Sequence, residues 1–224
     1  MESEIGERIN RFRHELPAGV KLVAVSKFHP AEAIQSAYNA GQRIFGESRV
    51  QEFLQKRQLL PQDIEWHFIG HLQTNKVRQI VPYISLIHSA DSIKLLKVID
   101  DESRRIDRVT DVLLQLHVAM EESKFGFPVE ECLQVAASGM LSEMNNIRIC
   151  GVMGMATNTN DENEIRKEFA DIRQVFDRLK KGPFAGRDYF TEVSMGMSDD
   201  YPVALAEGST MIRVGSVIFG MREY

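Results

Sequence analysis

The chain's 224 residues, 43% hydrophobic and 26% charged, have the balance of a soluble globular protein able to bury a sizeable core. A net charge of -5 with no basic run argues against a nucleic-acid partner, and two cysteines are too few for a disulfide framework. No apolar stretch approaches the ~18 residues of a membrane span, and the acidic start from Met1 to Arg8 lacks the basic-then-apolar order of a secretory leader. The expectation is a reduced, cytoplasmic protein without a membrane partner.

Ile5, Ile9, Phe12 and Leu16 recur at helical spacing and predict an amphipathic helix over residues 3–15, ended by Pro17 and Gly19. The apolar run from Leu22 to Val25, followed by Pro30, reads as a buried parallel strand with Lys27 at its C-terminal end. From there helix and strand alternate: helix 30–40, strand 43–45, helix 49–60, strand 65–69, helix 74–81, strand 85–88, and helix 92–105 with Ser92 as N-cap. Strand 109–118 is the longest. Helix 128–140, strand 147–153 and a long helix 162–181 closed by Gly182 and Pro183 come next. A seventh strand at 189–193, a short helix at 201–207, an eighth strand at 210–214 and a terminal helix at 216–219 complete the chain.

Eight strands, each trailed by a helix, predict an α/β fold of the (β/α)8 TIM-barrel type. One domain then spans residues 1–224, with helix 1–16 ahead of the barrel. The alternative is an open, doubly wound sheet. The charged stretch from Asp161 to Lys181 reads as a solvated outer face, and Cys132 and Cys150 as core residues.

In such a barrel the chemistry lies at the C-terminal ends of the strands, and a phosphate site is expected in the loops after the last two. Lys27 is an amine at such an end. Partly dry surroundings disfavour its ammonium form and free it to attack a carbonyl and form a Schiff base; the plain alternative is a solvated surface lysine. After the seventh strand, the small-residue loop from Ser194 through Met195 to Ser198 lets hydroxyls and backbone N–H groups approach an anion. After the eighth, Gly215 and Ser216 open the terminal helix, whose unpaired N–H groups suit a dianion. Arg213, inside the apolar run from Met211 to Val214, needs a partner: a carboxylate lining the barrel, or a ligand nitrogen or oxygen. An aldehyde for Lys27, a phosphate for the two loops and an aromatic nitrogen for Arg213 together define pyridoxal 5′-phosphate (PLP).

The chain also resembles, over nearly its whole length, the PLP-binding homeostasis proteins of the YggS and PROSC type, which share the fold-type III barrel of the alanine racemase N-terminal domain. The matching stretches are Leu22 to Lys27, Phe45 to Glu52, His67 to Lys76, Glu122 to Gly126, Ser194 to Asp200 and Ile212 to Gly220. The resemblance implies Lys27 as the Schiff-base lysine, Ser194, Met195, Ser198, Gly215 and Ser216 around the phosphate, and Arg213 against the pyridine nitrogen. Ser48, His71 and Met153 complete the cofactor-binding set on the ring side. Three positions depart from the family pattern: Ser48 stands where Asn is usual, His117 where Asn commonly ends the fifth strand, and Ala156 and Thr157 where Met-x-x-Pro is usual.

The implied role is a non-catalytic carrier that buffers PLP and hands it on, with apo-enzymes as transient recipients and the protein a monomer or homodimer. An always-cationic Arg213 keeps a proton off the pyridine nitrogen and weakens the ring as an electron sink. Racemases with this barrel take a second base from a separate C-terminal β domain, which this sequence, ending at Tyr224, is expected to lack. The alternative is a PLP-dependent racemase or related enzyme using His71, His117 or Tyr201 as base. A metal site at His67 and His71, with His29 nearby, is weighed and set aside, since no Glu follows His67 as a zinc-peptidase helix requires.

Overall fold

The computed structural model describes residues 2–121 and 125–220. The first half comprises α1 (Glu2–Glu15), β1 (Lys21–Val25), α2 (Ala31–Asn39), β2 (Ile44–Glu47), α3 (Val50–Leu59), β3 (Glu65–Phe68), α4 (Val77–Ile80), β4 (Leu86–Ala90) and α5 (Ile93–Arg104). The second comprises β5 (Thr110–His117), β6 (Phe127–Pro128), α6 (Val129–Ala137), β7 (Ile147–Met153), α7 (Glu162–Lys181), β8 (Glu192–Ser194), α8 (Tyr201–Ala206), β9 (Met211–Val214) and α9 (Ser216–Phe219). All strand pairs are parallel, in the order β1, β2, β3, β4, β5, β7, β8, β9 and back to β1. Closure on β1 sets Lys21 to Ala24 against Met211 to Val214. The expected (β/α)8 barrel is therefore the fold, and the open sheet is not.

Strand alternation sorts side chains between lumen and helices. On the outer face Leu22, Ala24, Phe45, Trp66, Phe68, Ile87, Val112, Leu114, Val152, Val193 and Ile212 join the large core shared with the helices. On the inner face Val23, Leu86, Leu113, Cys150, Met153 and Met211 form a separate apolar layer. Below it, at the N-terminal ends of the strands, Lys21 pairs with Glu192 at 2.5 Å, and Arg148 makes a bidentate pair with Asp111 at 2.7 Å. These four, with Glu65 and His67, line a floor cavity of about 360 Å³. α1 buries Ile5, Ile9 and Phe12 against α2 and α9, and Arg8 donates to the Ile218 carbonyl.

Several boundaries differ from expectation for identifiable reasons. The strand expected at 189–193 is β8 at Glu192–Ser194, because Phe190 leaves the sheet to stack between Phe176 and Phe184, with centroids 5.0 and 4.4 Å away. β2 runs on through Gly46 and Glu47, residues that argue against a strand until their burial is seen. The helix expected from 74 opens as a 3-10 turn over Thr74–Lys76, and the one expected to reach 140 stops at Ala137, with left-handed Gly139 (φ 80°) ahead of a further 3-10 turn. β6, a two-residue stub on the flank of β5, was not anticipated. Ser92 does cap α5, accepting from the Leu95 N–H. The register shift between β5 and β7 falls beside Gly151, whose φ of 156° and closeness to the Glu192 carbonyl leave no room for a Cβ.

Candidate functional site

The C-terminal ends of β1, β8 and β9 carry Lys27, Ser198, Arg213, Gly215 and Ser216 to one end of the barrel. Val23 faces the lumen, β1 ends at Val25, and Lys27, half-buried, lies in the turn that follows it at the C-terminal end of the strand. Pairing of Ala24 with Val214 sets the Lys27 turn beside Gly215, where a Cβ would lie 3.2 Å from the Val25 carbonyl oxygen. His29, two residues past Lys27, stacks on Phe219 of α9 with centroids 5.0 Å apart. From the other side Ser198 Oγ accepts a hydrogen bond from Gly215 N–H at 3.4 Å, which joins the two loops expected to hold a phosphate. The loop between them is kept tight by Gly196 (φ 95°), where a Cβ would come within 2.6 Å of Ala204. The amides of Ser216 and Val217, first in the single turn of α9, have no intrahelical acceptor. The Ser198 hydroxyl and the first amides of α9 thus lie together beside the end of β1.

Arg213 gives this mouth its charge. It is 4% exposed and points inward from β9, donating through Nη1 to the hydroxyl and the carbonyl of Ser194 at 2.6 and 2.8 Å, and through Nη2 to the Gly154 carbonyl at 3.0 Å. No carboxylate among the described residues lies within ion-pairing distance, so the salt bridge weighed from sequence is absent. Asp200, which supports the cation from further off, spends its Oδ1 on the Met197 N–H. Burial brings the guanidinium down to about 10, which leaves it protonated at neutral pH. A buried cation held only by neutral oxygens has capacity left for an acceptor that the protein does not supply.

Behind Arg213 runs a polar ladder across the lumen. Ser194 Oγ meets His88 Nδ1 at 3.0 Å, and His88 Nε2 meets His67 Nδ1 at 2.9 Å. Burial, and then Lys21, push His67 down to about 3, while burial, His67 and Arg213 hold His88 well below the usual imidazole range. Both rings are therefore neutral at pH 7, as a donor–acceptor chain ending on a cation requires. The sequence reading missed His88. Its signal was a histidine at the inward parity of a buried strand, as for His67 one strand earlier.

The remaining expected residues have contacts of their own. Ser194 faces Arg213 rather than the anion loops, and Met195 is fully buried in the outer core, with its N–H donated to Met211 and its carbonyl accepting from Ser209. Met153 belongs to the inner apolar layer. Ser48 and His71 line one groove with residues of α3, and His71 is bonded through Nδ1 to Asp91 at 2.8 Å and stacked on Phe125 at 3.7 Å. Tyr201 packs edge-on against Phe12, and His117 contacts the Glu121 carbonyl. His67 pairs with His88, not with His71. Residues Glu122 to Lys124, part of one matching stretch, lie outside the described residues.

Comparison with known proteins identifies the family. Residues 2–223 match the family described as alanine racemase, N-terminal domain. The pyridoxal phosphate homeostasis protein of Aquifex aeolicus is 36% identical over 229 residues, covering 99% of this chain and 97% of that protein. PipY of Synechococcus elongatus, solved with PLP bound, is 39% identical with a TM-score of 0.87, covering 96% of this chain and all of that one. An alanine racemase from Bartonella henselae shares the fold at a TM-score of 0.74 and 16% identity, with 99% of this chain matching 59% of the racemase.

Proposed function

The chain belongs to the alanine racemase N-terminal domain family, and from that premise we propose that it binds PLP, buffers it and hands it on. In this reading Lys27 holds the cofactor as a Schiff base, its nitrogen joining the aldehyde carbon while the carbonyl oxygen leaves as water. Ser198, Gly215 and Ser216 receive the phosphate through a hydroxyl and backbone amides. Arg213 faces the ring nitrogen, and its buried, carboxylate-free guanidinium is the observation that carries the reading. When bound, PLP supplies an electrophilic aldehyde and an electron-accepting ring. A permanent cation at the ring nitrogen keeps a proton off it, which favours storage over carbanion chemistry. The naming of the relatives as homeostasis proteins supports the same non-catalytic role.

We place this work in the cytoplasm with apo-enzymes as recipients. Among the described residues no helix is long and apolar enough to cross a membrane. The test is an absorption spectrum of the purified protein with PLP before and after borohydride, followed by peptide mapping. A modified Lys27 is expected; a colourless mixture, or an adduct on another lysine, refutes the assignment.

One observation favours a second reading, a PLP-dependent racemase: the His71 and Asp91 pair at the rim has the arrangement of an oriented base. Incubation with L-alanine in deuterated water separates the two. Enzyme-like α-deuterium exchange that disappears in Lys27→Ala would select the racemase, and its absence the carrier.

A further inference from the structure

Behind the Lys27 turn, on the side of β1 away from the lumen, three charged side chains form a cluster of their own. Glu47 ends β2 and is fully buried; Glu52 and Lys56 lie one helical turn apart on α3. The Lys56 ammonium donates to Glu47 Oε1 at 2.7 Å, to Glu52 Oε1 at 2.5 Å and to the Ser26 carbonyl at 2.7 Å. Glu52 Oε1 also accepts the Phe28 N–H at 2.6 Å, and Ser26 Oγ donates to Glu47 Oε1 at 2.7 Å. The two peptide groups that flank the Lys27 Cα are thus both fastened to one cluster: the carbonyl before it to Lys56 and the N–H after it to Glu52.

That fastening holds an uncommon conformation. Phe28 has a φ of 67°, which an aromatic residue seldom adopts, and its ring lies under the Arg49 guanidinium at 4.4 Å. The cluster is also a poor choice for stability alone. Glu47 Oε2 has no hydrogen-bond partner among the described residues, and burial, opposed by Lys56, pushes Glu47 up to about 7. Apolar residues of similar volume would hold α3 on the barrel as well or better. What they could not do is grip two specific peptide groups.

We propose that Glu47, Glu52 and Lys56 form a positioning cluster that sets the Lys27 turn for covalent capture of an aldehyde ligand. The proposal rests on the reading of Lys27 as the capturing amine and adds the residues that aim it.

The experiment compares wild type, Glu52→Ala, Glu52→Gln and the double variant Glu47→Gln/Lys56→Met, which removes the buried Glu47 and Lys56 charges together and leaves the partly exposed Glu52 on the Phe28 N–H. Apo-protein is mixed with pyridoxal phosphate in a stopped-flow cell and the growth of visible absorbance is followed. Affinity is measured separately for pyridoxine phosphate, which carries the ring and phosphate but no aldehyde. Loss of aim is expected to slow capture by about 10- to 100-fold in Glu52→Ala and in the double variant, with pyridoxine phosphate affinity changed by less than about twofold. Glu52→Gln, which keeps an acceptor for the Phe28 N–H, should recover most of the rate.

Capture at the wild-type rate in both Glu52→Ala and the double variant overturns the proposal. So does a parallel loss of capture and of pyridoxine phosphate affinity, which marks a general structural role. Borohydride mapping of the wild type separates the layers: an adduct on another lysine overturns the Lys27 reading and this proposal together. An adduct on Lys27 with unaffected variants overturns the positioning cluster alone.

Discussion

Lowering the pH of the apo-protein from 7 to 5 should remove stability through the two imidazoles in the barrel lumen. His67 is held at about 3 against 6.5 in an exposed histidine, and His88 also lies well below 6.5, burial being the leading cause for both. Below pH 6.5 the unfolded chain takes up these protons and the folded one does not. Stability contributed by each ring is therefore complete above pH 6.5 and falls as the pH drops toward the folded value. His67 accounts for ~1.4 kcal/mol per pH unit, or ~2 kcal/mol between pH 6.5 and 5, a large share of a net stability of ~5–15 kcal/mol, and His88 acts in the same direction. Glu47 acts in the opposite sense. Raised from 4.5 to about 7, it binds its proton more tightly when folded and gains stability as the pH falls through that window, so the wild-type slope alone is a mixture.

The informative quantity is a difference. In His67→Asn the slope of stability against pH between about 6.5 and 5 should be shallower than wild type by ~1.4 kcal/mol per unit, whatever the substitution costs at pH 7. Trp66, the single tryptophan, is 4% exposed between Phe45 and Phe53 and reports urea unfolding directly by its fluorescence. Parallel pH profiles for wild type and His67→Asn would refute the claim that the inner ladder is neutral in the folded protein.

Arg213→Gln should weaken PLP binding by about 10- to 100-fold while leaving the thermal midpoint of the apo-protein unchanged or raised, because it removes a buried cation without a carboxylate partner. Titration of PLP and a melting curve check the two halves. Gly196→Ala, at φ 95° and 2.6 Å from Ala204, should cost ~1–3 kcal/mol in urea unfolding. It should also weaken PLP more than pyridoxal, since only the phosphate depends on that loop. Cys132 and Cys150 are buried, with thiols pushed up to about 12 chiefly by that burial, so a disulfide reagent at pH 8 should react about 100-fold or more slowly with folded protein than with protein in urea.

The barrel was legible because its signals are local. Apolar runs such as Leu22 to Val25 and Ile147 to Met153, helix ends at Ser92 and Gly182, and a short turn at Gly215 each announce one element, and their alternation announces the ring. The juxtaposition of the Ser198 and Gly215 loops follows from that topology. What sequence could not deliver are contacts made across the lumen or behind a strand. Ser194 and His88 stand 106 residues apart on opposite walls, and nothing near either residue shows that the serine hydroxyl turns toward Arg213 instead of an anion. Likewise Glu47 reads as a strand terminator until Lys56, nine residues on, is seen to meet it inside. Met195 lies beside glycine and serine in the chain, yet strand alternation sends its side chain to the opposite face from Ser194.

The inner apolar layer and the ion pairs beneath it make this barrel a bottle rather than a tube. Whatever enters at the Lys27 rim must leave by the same neck, so loading and unloading compete for one doorway. Anything that covers that doorway shuts the lumen to entry and exit alike, so a surface seated there and a ligand in transit exclude each other.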